Sequence, residues 1–137
     1  MKRRITNYTF NLLSIVFALG AASCTNSSSQ DPSVKRITNQ DFISLQETDD
    51  SVQLVDVRTV QEYDNGHLEG AILIDFLQKD FRERVSILDK SMPIVVYCAV
   101  GGRSNQSTKI LLEEGFTDIY DLKGGFKGWS SEGLPFE

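Results

Sequence analysis

The chain has 137 residues, 40% of them hydrophobic and 24% charged, with a formal net charge of -5. That length and balance suit one globular domain. The acidic excess speaks against nucleic acid as a partner, and no internal repeat is visible.

At the N-terminus, Lys2, Arg3 and Arg4 precede the apolar run "LLSIVFALGAA" from Leu12 to Ala22, and small residues then lead into Cys24. This is the layout of a bacterial secretion signal. "AASC" at 21 to 24 resembles a lipobox, where a signal peptidase cuts before a cysteine that carries diacylglycerol, although Ala21 stands where Leu is usual. The apolar core of 11 residues is short against the roughly 20 that span a bilayer. Ile5 to Ser23 is nevertheless free of charge, so an uncleaved anchor and an ordinary cleaved signal are the alternatives. The expectation is a lipoprotein-type signal peptide over 1–23, lipidation of Cys24, a flexible polar tether over 24–33 and a folded domain over 34–137. A protein built this way sits in the cell envelope, facing the periplasm or the exterior, and meets the membrane through its N-terminal lipid.

From Val34, strand-like and helix-like signals alternate. "VKRI" predicts a short strand, and Thr38 with Asp41 forms a capping-box pattern for a helix through Phe42 and Leu45. "VQLVDV" at 52 to 57 predicts a buried strand, and Thr59 with Glu62 repeats the capping box before a short helix near "VQEY". "DNG" at 64 to 66 marks a turn. "AILI" at 71 to 74 predicts a strand, and "FLQKDFRERVSIL" at 76 to 88 a helix. Pro93 opens "IVVY", the most apolar strand; a helix is expected from Ser104 to Glu114, with Gly115 at its C-terminal end. "DIYDL" predicts the last strand, and "GGFKGW" a terminal helix or turn with Phe126 and Trp129 in the core. Apolar strands interleaved with helices predict an α/β fold, with a parallel sheet of about five strands covered on both faces.

In such sheets ligands bind beyond the carboxyl ends of the strands, and Cys98 ends the strand expected near the sheet centre. The chain has two cysteines, so lipidation of Cys24 would leave Cys98 the one free thiol in an exported protein, where cysteines are usually paired or avoided. After Cys98 come Ala99, Val100, Gly101, Gly102, Arg103 and Ser104. The glycines let successive N–H groups turn inward as an anion-binding nest. Ser104 is placed to cap the next helix, whose N-terminus adds positive potential, and Arg103 supplies a full charge. All three effects favour a thiolate, the nucleophilic form, and equally a charged group attached to the sulfur.

Three segments carry a resemblance to the single-domain rhodanese family of sulfurtransferases. "LVDVRTVQEYDNGHLEGAILI" resembles the family's strand, D-V-R, E-Y and G-H-I-x-G-A series. "IVVYCAVGGRS" resembles its C-x-x-G-x-R-S loop, and "LLEEGFTDIYDLKGGFKGW" its G-F-x-x-V-x-x-L-x-G-G-x-x-x-W ending. The resemblance implies that Cys98 takes a sulfane sulfur from a donor such as thiosulfate, a persulfide or a polysulfide. It implies a Cys98 persulfide held by backbone donors from Ala99 to Arg103, and transfer to a thiol or cyanide. No cofactor and no metal are implied, and a monomer is expected.

Asp56 and Arg58 match the D-V-R and are expected to support the loop through ionic hydrogen bonds rather than join the chemistry. His67, the one histidine, is read as a turn residue rather than a base, and Glu62 and Tyr63 as cap and packing residues. Gly124 and Gly125 are expected to permit a tight turn beside the loop. Ala99 and Val100 stand where polar or basic residues are common, which points away from thiosulfate and towards a persulfide or protein-borne donor. Glu69 stands where the family commonly has proline, a change expected to be harmless. The alternatives are a sulfur-carrier, redox or binding module with little turnover, and a phosphatase or arsenate reductase of the same fold. The phosphatase loop needs one more residue than the four between Cys98 and Arg103.

Overall fold

The computed structural model describes residues 33–137. The expected signal peptide, the Cys24 lipidation site and nearly all of the tether lie outside the described residues. In chain order the elements are β1 (Ser33–Ile37), α1 (Asn39–Thr48), β2 (Gln53–Asp56), α2 (Val60–Asp64), β3 (Ile72–Leu73), α3 (Phe81–Ser86), β4 (Ile94–Tyr97), α4 (Gly102–Glu113), β5 (Asp118–Leu122) and α5 (Gly125–Ser131).

Both capping boxes form. The Thr38 N–H donates to the Asp41 carboxylate at 2.9 Å, and the Asp41 N–H donates back to Thr38 Oγ1 at 3.2 Å. Thr59 and Glu62 repeat the exchange at 3.1 and 3.3 Å. Each pair satisfies two donors that a helix start would otherwise leave open.

The helix expected over 76 to 88 is much shorter. The Asp75 carboxylate accepts the Leu77 N–H at 2.9 Å and the Gln78 side-chain Nε2–H at 3.1 Å, and the Phe76 N–H donates to Val57 O at 3.2 Å. These local bonds hold 75 to 78 in turns, and the helix starts only at Phe81. The strand expected over 71 to 74 pairs only at Ile72 and Leu73.

The five strands form one parallel sheet in the order β1-β5-β4-β2-β3, with β4 at its centre. Side chains alternate between its faces with the period of two that strands impose. On β4 and just beyond it, Ile94, Val96 and Cys98 pack towards α3 and α4 with Val85, Leu111 and Phe116. Val95 and Tyr97 pack on the opposite face, against Phe42 of α1 and Trp129 of α5. Both faces are covered, which is why all four residues of β4 are apolar and buried.

Candidate active site

Cys98 leaves the carboxyl end of β4, and the chain turns at once through Ala99 to Gly101 into α4. Gly101 is the residue before the helix, at φ 107°, where a side chain would be strained. The structure therefore corrects one expectation: Gly101, not Ser104, occupies the N-cap. Ser104 sits in the first turn of α4, fully buried, with its hydroxyl 2.6 Å from Asp121 Oδ1 and 3.2 Å from Gly101 O.

The loop's peptides are oriented by α5. The Phe126 N–H donates to Cys98 O at 2.8 Å, and the Lys127 N–H donates to Ala99 O at 3.0 Å. In a trans peptide the C=O and the following N–H point opposite ways. Tying Ala99 O back to α5 therefore turns the Val100 N–H towards the sulfur. The Gly101 N–H donates to Cys98 Sγ at 3.1 Å. This close seat needs Gly125, because a Cβ there would lie 2.2 Å from Cys98 O. The glycine pair thus forms the tight turn expected beside the loop.

The thiol is not an exposed group: Cys98 is 1% exposed, on the floor of the loop. Burial pushes it up. The Ser104 N–H and hydroxyl, with the Gly101 and Val100 N–H groups, outweigh burial and hold the thiol below its ordinary value. Of the expected donors from Ala99 to Arg103, the Gly101 N–H is the one hydrogen-bonded to the sulfur. Val100 itself is 62% exposed and forms an apolar rim.

Arg103 is tied to α2 rather than left free. Its two terminal nitrogens donate to the Glu62 carboxylate at 2.6 and 2.7 Å. Glu62 thus does more than cap, a role its capping-box position concealed. The Arg103 guanidinium holds the Glu62 carboxyl at about 2, against a smaller burial effect. Because that value lies below the ordinary 4.5, the stabilisation is complete above pH 4.5 and disappears as pH falls through about 2. Glu62 is one-third exposed, so screening limits the pair to about 1 kcal/mol. Glu62→Gln is expected to lower stability by about that much at pH 7. The gap from wild type, read by urea denaturation, should close between pH 4.5 and 2.

Asp56 and Arg58 depart from expectation. They form a buried pair, Arg58 Nη2 to Asp56 Oδ2 at 2.7 Å and Nε to both carboxylate oxygens. Nη2 also donates to Gly66 O at 2.7 Å. Asp56 stands beside Tyr97 in the sheet register, so the pair lies on the α1 and α5 face, opposite Cys98. It bonds the 66 turn, not the cysteine loop, and its link to the loop runs through Phe126, 4.2 Å below the guanidinium. The reason is strand alternation: two residues apart on one strand end, both side chains fall on one face, and it is not the face of Cys98. His67 is stacked on Tyr63 with its Nδ1 at Tyr63 O, 3.1 Å away, in the turn expected for it. Among the described residues no group of three or more His, Cys, Asp or Glu side chains stands ready for a metal.

The sequence pattern of the rhodanese-like domain matches residues 38–132. The chain belongs to the rhodanese-like family. A rhodanese-like chain with this arrangement has curated relatives of the sulfurtransferase class. It is 40% identical over 91 residues to thiosulfate sulfurtransferase 16, chloroplastic, of Arabidopsis thaliana, covering 59% of this chain and 76% of that protein. It is 33% identical over 97 residues to thiosulfate sulfurtransferase GlpE of Shewanella oneidensis, covering 71% of this chain and 93% of that one. The rhodanese-like fold is shared with a rhodanese-related protein from Thermoplasma volcanium at a TM-score of 0.66 and 28% identity, over 75% of this chain and 97% of the other.

Sequence reasoning missed Asp121, which reaches the loop through Ser104. A signal was present: an acidic residue inside a strand of a sheet covered on both faces needs a buried partner.

Proposed function

We propose that this chain is a sulfurtransferase that moves a sulfane sulfur from a donor to a thiophilic acceptor through a persulfide on Cys98. The observation that carries this reading is the Gly101 N–H 3.1 Å from Cys98 Sγ, at the head of a loop whose N–H groups converge on sulfur. With thiosulfate, the Cys98 thiolate attacks the outer sulfur. A new S–S bond forms, the donor's S–S bond breaks, and sulfite leaves with the electron pair. The outer sulfur of Cys98 then carries the negative charge that the N–H groups solvate. Cyanide or an acceptor thiolate attacks that sulfur, takes it as thiocyanate or a new persulfide, and returns the thiolate. This is two-step covalent catalysis of the ping-pong type.

The four residues from Ala99 to Gly102 favour a single sulfur guest over the tetrahedral oxyanion of a phosphatase or arsenate reductase. The names of the relatives favour thiosulfate as the donor. The apolar Val100 rim, and the pairing of Arg103 with Glu62, favour a persulfide or polysulfide of lower charge. A second reading, a sulfur carrier with little turnover, draws support from the depth of the thiol.

The test is to incubate the domain with thiosulfate or a polysulfide and weigh it intact. Wild type is expected to gain sulfur, and Cys98→Ser none. Equal gain by both proteins, or none by wild type, sinks the reading. A rate of cyanide-dependent turnover separates an enzyme from a carrier.

Cys24, behind the signal-like N-terminus, is proposed to carry the lipid that tethers this domain to the cell envelope, facing the periplasm or the exterior. Labelled palmitate is expected to enter wild type and not Cys24→Ala; equal labelling of both would remove the anchor.

A further inference from the structure

The carboxyl end of the sheet, where Cys98 lies, carries three exposed apolar side chains. Val60 and Leu77 are 56% and 63% exposed, and Val100 of the cysteine loop is as open as they are. Apolar residues scattered singly over a surface need no explanation. These three are brought to one reactive atom by named bonds. Val60 opens α2, and two residues on, Glu62 grips Arg103 and so holds that helix against the loop. Leu77 follows Phe76, whose N–H donates to Val57 O. The Val57 N–H in turn donates to Tyr97 O, next to Cys98. Those bonds run from the 75 turn past the end of β2 to the end of β4, two strand spacings of about 4.8 Å each.

Charge is arranged differently here. Arg103, the cation within the loop segment, has both terminal nitrogens bonded to the Glu62 carboxylate. Lys127 is exposed, but it belongs to α5, which seats the loop from behind. Cys98 is otherwise walled in by the core beneath α3 and α4, so a sulfur donor reaches it from this end of the sheet. A small dianion arriving there meets hydrocarbon and a cation already paired. An apolar group laid across the same side chains removes both surfaces from water, which is favourable.

We propose, on the reading that Cys98 accepts a sulfane sulfur, that Val60, Leu77 and Val100 determine donor specificity. They select donors whose leaving group has an apolar organic body over inorganic thiosulfate. The Cys98 thiolate forms an S–S bond to the donor's outer sulfur, and the donor's own S–S bond breaks. The organic part leaves with the electron pair, as a sulfinate or a thiolate. Its apolar body lies across the three side chains while the outer sulfur enters the loop. The collar therefore acts in recognition of the donor and not in the bond exchange.

The test uses the full-length chain in mild detergent with Cys24→Ser, so that sulfur uptake reports Cys98 alone, and follows single-turnover loading by intact mass. The donors are benzenethiosulfonate, which has a phenyl body, and thiosulfate. Their leaving groups differ in chemistry, so the quantity read is how a variant changes the ratio of the two loading rates. Leu77→Gln is expected to lower the benzenethiosulfonate-to-thiosulfate ratio about threefold, and the triple variant Val60→Ser, Leu77→Gln, Val100→Ser about tenfold. Loss of folded protein lowers both rates together and leaves the ratio alone. Ile87→Gln is the control. Ile87 is also exposed, but it lies at the amino end of the sheet, two residues before Asp89, which bonds Gln53 at the start of β2. An unchanged ratio in the triple variant, or an equal shift in Ile87→Gln, overturns the proposal and leaves sulfur transfer standing. Failure of the Cys24→Ser parent to load from either donor overturns the sulfurtransferase reading itself, and the proposal with it.

Discussion

Gly125→Ala is expected to cost the domain more than about 3 kcal/mol and to disable the cysteine loop together with the fold. Two penalties combine there. The backbone sits at φ 57°, in the left-handed region, where an L side chain costs about 1–2 kcal/mol. The added Cβ would also stand 2.2 Å from Cys98 O, and 2.9 and 3.0 Å from the carbonyl carbon and oxygen of Ala99. All three are backbone atoms and cannot swing aside as a flexible side chain would. The loop or α5 must move, and either motion breaks the bonds from the Phe126 and Lys127 N–H groups that set the peptide orientation behind Cys98. The check is a urea denaturation curve beside a thiol alkylation rate. Gly70→Ala is the matched control: its φ is 75° but a Cβ there meets nothing within 4 Å. It should cost only about 1–2 kcal/mol and leave the thiol's reactivity unchanged. Equal losses at Gly125 and Gly70 would mean that close approach to the loop contributes nothing.

Arg58→Met is expected to cost about 3–5 kcal/mol, because it strands a buried carboxylate. Asp56 is fully buried, and Arg58 supplies two nitrogens to it while bonding Gly66 O. The Arg58 backbone N–H, 2.9 Å from Asp56 Oδ1, would remain as partial compensation. Asp56→Leu combined with Arg58→Met should recover a large part of the loss, since an apolar pair of similar volume often replaces a buried ion pair without penalty. Denaturation of both single variants and the double variant reads the coupling directly. A loss below about 1 kcal/mol for Arg58→Met would contradict the role of the pair as the clamp between β2 and the 66 turn. Sulfur uptake per folded molecule should change little, because the pair and Cys98 lie on opposite faces of the sheet.

Much of this architecture was legible in one dimension. The valine-rich runs marked buried strands, and the capping boxes at Thr38 and Thr59 marked two helix starts to the residue. These are local signals: a cap bonds to residues three positions away, and a run of apolar side chains declares its own burial. Where local signals conflicted, expectation failed. "FLQKDFRERVSIL" has helical periodicity, but Asp75, just before it, captures the Leu77 N–H and the Gln78 side chain, and the helix starts only at Phe81. The partnership of Glu62 with Arg103 was hidden because the residues lie 41 positions apart and Glu62 already had a local task.

By itself, the sequence determined that the thiol of Cys98 would stand at the carboxyl end of a buried strand, followed by a glycine turn and a helix. Adjacent residues are enough to specify that much. Only the tertiary structure decided what surrounds the sulfur. It put α5 behind the loop to turn the N–H groups inward, gave Arg103 to Glu62, and placed Asp56 and Arg58 on the far face. It also set Asp121 against Ser104. Each of those outcomes depends on which strands neighbour which, and on which face each side chain falls. That information exists only once β1, β5, β4, β2 and β3 have taken their order in the sheet.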